Sequence, residues 1–540
     1  VTAAATADPE TIPALLAHRR RDDGDRRAIV TADDAITYQA LDDASAALAA
    51  RLLAAGVVTG DRFGLLARNG IAWATTALAA MRIGAVLVPL STLLRPPELV
   101  AQLTTASVAQ LVVVETFRGR YYLDELETSS AGLVTTVRSG ARSPVVPSLR
   151  NVWLLDGLPD ARVAPDQVDA LAAHVLPTDD LAVMFTSGSR GAPKGVIHTH
   201  GGAIRATAAG LDARCVRPGE RLYIPMPFFW MGGFGSGLLT ALVAGATLLT
   251  EAEPEPGRTL ALLERERATL FRGWPDQAAR LAADPAFALA DLSSLGNGSL
   301  GAVLPPERRP APGARANLFG MTESFGPYCG DRLDTDLPPD KYGSCGRPFD
   351  GVEVRIVDPV TLAAVPAGEP GEIWLRGPNL LRGICGRSRA SVFTADDCYR
   401  TGDLGRLDAD GYLWYHGRLD DMFKVKGATV YPTEVEAALR AVAGVRQAYV
   451  TDVAVNGGAA EVGAMVISDE TLAEIVDAVR ARLSAFKVPT RWLVTSDPAA
   501  APMSATGKLD KAALQHLLAA GGAAPETSPP RPAAERGSNR

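Results

Sequence analysis

Met184-Phe-Thr-Ser-Gly-Ser-Arg-Gly-Ala-Pro-Lys-Gly-Val-Ile-His-Thr-His200 is the stretch that decides how this chain is read. The apolar run at residues 181–185 reads as a strand. It leads into three small hydroxyl residues, Thr186, Ser187 and Ser189, among glycines at 188, 191 and 195. Lys194 adds a positive charge. Amides, hydroxyls and one cation are what a triphosphate needs around it. The spacing is not that of a Walker A loop, because G-x-x-x-x-G-K-[S/T] is absent. A Ser/Gly linker has a similar composition, but the apolar strand in front argues for a loop held at a sheet edge.

Outward from this loop, strands and helices alternate. Residues 37–56 have Leu41, Ala44, Leu48 and Leu52 at helical spacing behind Thr37, a capping residue, and stop at Gly56. Residues 62–67, 85–89 and 110–114 read as strands, and residues 71–83 and 98–105 as helices. Continuous apolar strands between helices imply a parallel α/β sheet. The long apolar stretch at 232–249 carries glycines and reads as a buried helix running into a strand, not a membrane span. From Gly351 the pattern alternates more clearly, at 352–357 and 371–376, as in a smaller, β-rich, barrel-like part. Past Asp420 a compact α+β unit is expected, with helices at 432–443 and 470–484 and strands at 445–451 and 461–467. Residues 518–540, rich in Pro, Ala, Gly and charge, read as a disordered tail.

Composition sets the outer bounds. With 47% hydrophobic and 21% charged residues in 540, the chain has an ordinary globular balance. A net charge of −7 leaves no basic footprint for nucleic acid. The one dense basic run, His18-Arg-Arg-Arg21, reads as a solvated helix end. Five cysteines without C-x-x-C spacing argue against a disulfide framework or zinc site, and a reducing, cytoplasmic setting is expected. No signal peptide is read at residues 1–12, and without a basic amphipathic helix any membrane contact would be weak. Arginine outnumbers lysine 47 to 7, which makes each lysine informative. Arginine replaces lysine as a surface charge, but less easily as a compact ammonium aimed at one oxygen.

The loop resembles the phosphate loop of the adenylate-forming (ANL) superfamily, which comprises acyl-CoA synthetases, adenylation domains of peptide synthetases, and luciferases. Further motifs follow in that family's order: Phe319-Gly-Met-Thr-Glu323, Tyr399-Arg-Thr-Gly-Asp403, Gly417-Arg-Leu-Asp-Asp421, Phe423-Lys-Val-Lys-Gly427 and Pro502-Met-Ser-Ala-Thr-Gly-Lys508. The resemblance implies a large adenylation domain over residues 1–419 and a small mobile domain over 420–517, hinged at Asp420. It implies Lys508 as the lysine bridging carboxylate and α-phosphate, Glu323 as the Mg²⁺ ligand, and Thr322 as a phosphate contact. It assigns ATP to Thr186, Ser187, Gly188, Ser189, Gly191 and Lys194, to Phe319, Gly320 and Met321, and to Asp403 and Arg418 near the ribose. Asp403 could equally cap its own turn, and Arg418 could equally form a surface ion pair. Gly301, Ala302 and Val303 match the family's adenine-binding turn, with Val303 where proline is common.

In such enzymes the small domain serves two half-reactions in two poses. The resemblance gives Lys424 to the second step and Lys426 and Gly427 to the coenzyme A channel. Phe229 and Trp230, in Pro227-Phe-Phe-Trp-Met-Gly-Gly233, match the segment beside the acyl pocket, and core packing is an equal reading of Trp230. His198 and His200 are expected to be structural, on the helix after the loop. Arg190, Ile384 and Asp397-Cys398 depart from the family pattern without removing a catalytic group. The implied activity is ATP- and Mg²⁺-dependent activation of an apolar carboxylic acid, first of all a fatty acid, then thioester formation with coenzyme A. Three alternatives stay open: a ligase loading a carrier-protein thiol, a non-catalytic nucleotide-binding relative, and a luciferase-like oxygenase. Monomer and homodimer both remain open.

Overall fold

The computed structural model describes residues 8–160, 163–186, 194–425, 428–454, 460–503 and 509–521. A seven-stranded sheet runs in the order Gly383–Ile384, Lys194–Thr199, Asp180–Thr186, Val86–Pro89, Arg62–Leu66, Gln110–Val113, Asn151–Leu154. Its strands from Asp180–Thr186 to Asn151–Leu154 are parallel, while Lys194–Thr199 and Gly383–Ile384 join antiparallel. Successive strand residues face opposite cores. Phe63, Leu65, Leu87 and Val112 pack into one, and Leu66, Val86, Val88, Leu111 and Val113 into the other. Burial on both faces is why these strands read as unbroken apolar runs.

The first of those cores is shared with a five-stranded sheet, ordered Leu270–Phe271, Arg221–Tyr223, Thr247–Leu249, Arg27–Val30, Ala35–Thr37. The helices Tyr38–Ala54 and Ile71–Arg82 contribute to it, so sheets and helices alternate in layers. Thr37 caps the first helix, its Oγ1 accepting from the Ala40 amide at 3.1 Å. Leu41 and Leu52 are buried beneath it, and Gly56 ends it at φ 85°. Trp73, on the second helix, is 1% exposed, and truncating such a side chain costs roughly 3–5 kcal/mol. The stretch expected as a helix running into a strand includes a π-helical turn, Phe234–Leu239, before Thr240–Ala244 and the strand Thr247–Leu249.

The β-rich part is an antiparallel sheet, Glu353–Val357, Gly371–Arg376, Tyr399–Leu407, Leu413–Arg418, beside a three-stranded sheet built on Phe319–Met321 and Gly326–Gly330. After Asp421 come a hairpin, Phe423–Val425 with Ala428–Val430, and a sheet of Val445–Ala454, Ala460–Ser468 and Arg491–Thr495. These pack with the helices Pro432–Arg440 and Leu472–Arg480 around their own core of Val430, Val435, Leu439, Ala464, Ile475 and Trp492. Both helices are shorter than expected from the sequence. At residue 518, where a disordered tail was expected to begin, the helix Lys511–Gly521 runs on and Leu518 is fully buried against Met465 and Ile467; residues 522–540 lie outside the described residues.

Candidate active site

One cavity of about 1290 Å³ lies where the sheets meet. Single-ligand pockets occupy about 300–1,000 Å³, so this one has room for a nucleotide and an acid together. It gathers Thr186, Lys194, Phe319, Gly320, Met321, Thr322, Glu323, Asp403, Arg418 and Asp420 from far-separated parts of the chain. Thr186 and Lys194 face each other across the last rung of the hairpin that opens into the phosphate-type loop. Ser187, Gly188, Ser189, Arg190 and Gly191 lie outside the described residues, as do Lys426, Gly427 and Lys508. The backbone of Lys424 stands on the strand Phe423–Val425.

Glu323 sits on a single 3-10 turn, Thr322–Ser324, after the strand Phe319–Met321. That strand has Gly320 because a Cβ there would come within 2.1 Å of the Gly326 carbonyl oxygen. Phe325 at φ 55° and Gly326 at φ 107° then reverse the chain. The Glu323 carboxylate is buried, and its Oε1 accepts from the Tyr399 hydroxyl at 3.0 Å. Burial and the charge of Glu323 push the Tyr399 hydroxyl far above its ordinary pKa, so it stays a donor. Oε2 has no hydrogen bond among the described residues, and Glu323 lines the cavity. No cluster of three or more His, Cys, Asp or Glu suited to a metal occurs among the described residues. A single free carboxylate oxygen suits a magnesium ion that arrives with phosphate oxygens and water and needs one protein ligand.

Asp403 and Arg418 are paired across adjacent strands, with Nη1 of Arg418 2.9 Å from Oδ1. Arg418 also donates to the Thr401 carbonyl at 3.1 Å, while Thr401 Oγ1 accepts from the Asp403 amide at 2.9 Å. Burial raises the Asp403 carboxyl to about 6, against the pull of Arg418 and with a further push from Glu323 and Asp421. Arg418 therefore forms an ion pair, as one reading of the sequence had it, but with the site carboxylate itself.

One expectation is corrected by the strand that carries His198. His198 is on the strand Lys194–Thr199, not on the helix His200–Ala209. Its Nε2 lies 2.8 Å from the Thr322 carbonyl oxygen and its ring packs edge-on to Phe325. Burial lowers its pKa to about 4, so the neutral ring donates. Gly301, Ala302 and Val303 form a 3-10 turn but are not on the cavity wall; Leu300 is, and Val303 is buried with Leu281 and Leu304. Phe229 lines a second cavity of about 330 Å³, and Trp230 with Trp274, their rings 5.7 Å apart, lines both. Asn69 had no signal in sequence. It clips the Pro227 segment to the seven-stranded sheet, donating to Met226 O at 2.9 Å and accepting from Phe228 N at 2.7 Å.

The lysines divide cleanly. Lys341 is held by Asp340, Asp408 and Asp410, Lys487 by Glu434, and Lys511 by Asp421. Among lysines with described side chains, only Lys194 lacks an acidic partner, and it faces the cavity.

The sequence pattern of the AMP-binding enzyme family matches residues 16–385. A ligase from Mycobacterium tuberculosis, 3-[(3aS,4S,7aS)-7a-methyl-1,5-dioxo-octahydro-1H-inden-4-yl]propanoyl:CoA ligase, is 32% identical over 94% of this chain and 99% of its own length. A feruloyl-CoA synthase from Amycolatopsis is also 32% identical, over 84% of this chain and 89% of its own. The crystal structure of the anthranilate CoA ligase AuaEII with anthranoyl-AMP superposes with a TM-score of 0.74 at 24% identity, covering 94% of this chain and 97% of that one. That likeness is one of fold.

Proposed function

We propose that this chain, which belongs to the AMP-binding enzyme family, joins a carboxylic acid to coenzyme A through an acyl adenylate. The observation that carries the reading is the convergence of Thr186, Lys194, Thr322, Glu323, Asp403 and Arg418 on one cavity large enough for two substrates. ATP lies with its phosphates at the 186–194 loop and its ribose hydroxyls on Asp403, whose second oxygen is free of Arg418. Magnesium, when bound with ATP, neutralises phosphate charge; Glu323 would hold it, with Tyr399 fixing the carboxylate. His198 holds the Thr322 carbonyl and so positions the turn that carries both residues. The acid's body lies along Val216, Leu222, Ile224, Met226 and Trp230. Lys508 joins the acid's carboxylate to the α-phosphate, and the unit from Asp420 onward swings to bring Lys424, Lys426 and Gly427 to bear on thiol attack.

These relatives are named for an indene-dione propanoyl group and a feruloyl group, so kinship alone does not favour the fatty acid first expected here. The test is AMP and pyrophosphate release from ATP and Mg²⁺ over a panel of acids, with and without coenzyme A and with products identified by mass. The reading requires coenzyme A-dependent acyl-CoA formation that is lost in Lys508→Ala. Acyl-AMP accumulating despite coenzyme A would transfer the chain to the carrier-loading class. ATP binding without turnover on any acid would make it a non-catalytic member.

A further inference from the structure

Two arginines line the same cavity on the wall built by the five-stranded sheet, beside Val216, Leu222, Ile224 and Leu300. Arg214 folds back on the end of the helix His200–Ala209. Its Nη2 donates to Thr207 O at 2.6 Å, its Nε to Gly210 O at 3.0 Å and its Nη1 to Thr240 Oγ1 at 3.1 Å. That is a complete structural role, the capping of carbonyls at a helix C-terminus. Arg272 has no such explanation. It follows the strand Leu270–Phe271, its Nη2 donates to the Arg214 carbonyl, and its Nε is buried without a partner.

Neither arginine has a carboxylate ion pair among the described residues; Arg272 has the Cys215 thiol beside it, and burial raises that thiol above its ordinary pKa, so it brings no anion. Asp334, whose charge reaches Arg272, is gripped by Arg332 through both oxygens at 3.1 and 2.6 Å. Arg332 also holds Asp212. Burial, and for Arg214 the neighbouring charge of Arg272, pulls both guanidinium groups down to about 10, so both stay charged at neutral pH. Buried charges are costly unless paired, and an unpaired guanidinium at a binding cavity marks where a ligand supplies the missing anion. On the ligase reading the phosphates lie at the 186–194 loop with the magnesium that Glu323 would hold, so the anion at this wall belongs to the acid.

Resting on the ligase reading above, we infer that the acid is a dicarboxylic acid with an apolar middle, its second carboxylate held by Arg272 with Arg214 behind it. This replaces the expectation of an apolar, fatty acid. A hydrocarbon end would leave the two guanidinium groups facing methylene groups.

The test uses matched pairs of acids: straight-chain diacids against monoacids of equal length, and aryl acids with and without a second ring carboxylate. The readout is kcat/KM for AMP release with coenzyme A. The diacid should win at least one pair by about a hundredfold, the scale at which a buried polar site rejects a ligand lacking its partner. Arg272→Met should bring that pair within about tenfold, and Arg272→Lys should keep part of the preference. Melting curves show whether Arg272→Met is folded, and Arg272→Gln replaces it if it is not. A preference for monoacids in every pair, or a diacid preference that survives Arg272→Met, overturns the inference and leaves the ligase reading intact. So does a neutral keto acid that matches the diacid, or an ATP affinity that collapses in Arg272→Met, since that would assign the arginines to phosphate. Silence on every acid of both kinds overturns the ligase reading and the inference with it.

Discussion

Asp403→Asn is expected to make the protein more stable at neutral pH and less active. The wild-type carboxyl is 6% exposed, and burial raises its pKa from 3.8 to about 6 although Arg418 is 2.9 Å away. A displacement of that size corresponds to about 3 kcal/mol of difference between the charged and neutral forms. The folded state holds this proton more tightly than the unfolded chain. Well below pH 3.8 both states are protonated and the group contributes nothing. As pH rises from about 4 to 6 the unfolded chain ionises first and stability falls; above 6 the whole cost is present. Asn has nearly the same shape and no charge, so it escapes the cost, and the pull of Arg418 on the charged form is already contained in the displaced value. Urea unfolding followed by tryptophan fluorescence, at pH 4 and pH 7.5, measures the balance. Asp403→Asn should gain up to about 3 kcal/mol at pH 7.5, and its advantage over the wild type should shrink to about 0.5 kcal/mol at pH 4. A variant less stable than wild type at pH 7.5, or an offset that ignores pH, refutes the reasoning. On the proposed function, AMP formation should fall in the same variant, because the ribose hydroxyls would lose their charged acceptor.

Glu323→Gln should lower pyrophosphate release about 10²–10³-fold and weaken its dependence on magnesium, read by titrating Mg²⁺ at fixed ATP. His198→Phe removes one of the two donors to the Thr322 carbonyl, which keeps the Phe325 amide at 3.0 Å, so it should cost about 1 kcal/mol in unfolding experiments and lower kcat for AMP formation as the turn loosens. Because burial sets the His198 pKa at about 4, the wild-type rate profile should show no step from this group between pH 5.5 and 8. Asn69→Ala strands the Phe228 amide and Met226 carbonyl and should cost a similar 1–3 kcal/mol, with KM for the acid rising as the Pro227 segment loosens. Trp230→Ala should join the 330 and 1290 Å³ cavities, so that a competition assay shifts toward bulkier acids.

The elements legible in the sequence are those whose signal is local. The helix Tyr38–Ala54 has its cap and apolar stripe within one window, and the strands at Arg62–Leu66 and Gln110–Val113 are apolar on both faces. Thr186, Thr322, Glu323, Asp403 and Arg418 could be picked out because each lies in a short motif, and they line one wall-to-wall cavity. What could not be read is pairing at long range. Asn69 bonds to a backbone 159 residues away, and His198 to one 124 away; neither sits in an unusual local pattern. Arg214 and Arg272 are two among 47 arginines, so nothing in their neighbourhoods distinguishes a buried guanidinium from a surface one. Phe229 and Trp230 are adjacent in an irregular segment, where no period says which of the two faces which cavity.

The charges around the cavity explain why one small C-terminal unit would be indispensable to the first chemical step. Of the cations on the described wall, Arg400 is bound to Glu372 at 2.8 Å and Arg418 to Asp403 at 2.9 Å. Arg214 and Arg272 stand on the wall of the five-stranded sheet. That leaves Lys194 against Glu323 near the phosphate end, a wall close to electrical balance facing a triphosphate and a carboxylate that repel each other. Two anions brought together in a low-dielectric cavity need added positive charge. On the proposed function, magnesium held by Glu323 would supply part of it, and Lys508, which lies outside the described residues, would supply the rest. It follows that ATP without Mg²⁺ should bind this protein much more weakly than MgATP. Lys508→Ala should retain MgATP binding yet lose acyl-adenylate formation, since the lysine's charge is required only when the acid's carboxylate arrives. Calorimetric titration of ATP with and without Mg²⁺, in both proteins, separates the two contributions. Equal affinity with and without the metal would mean that the described wall is more positive than its pairing indicates.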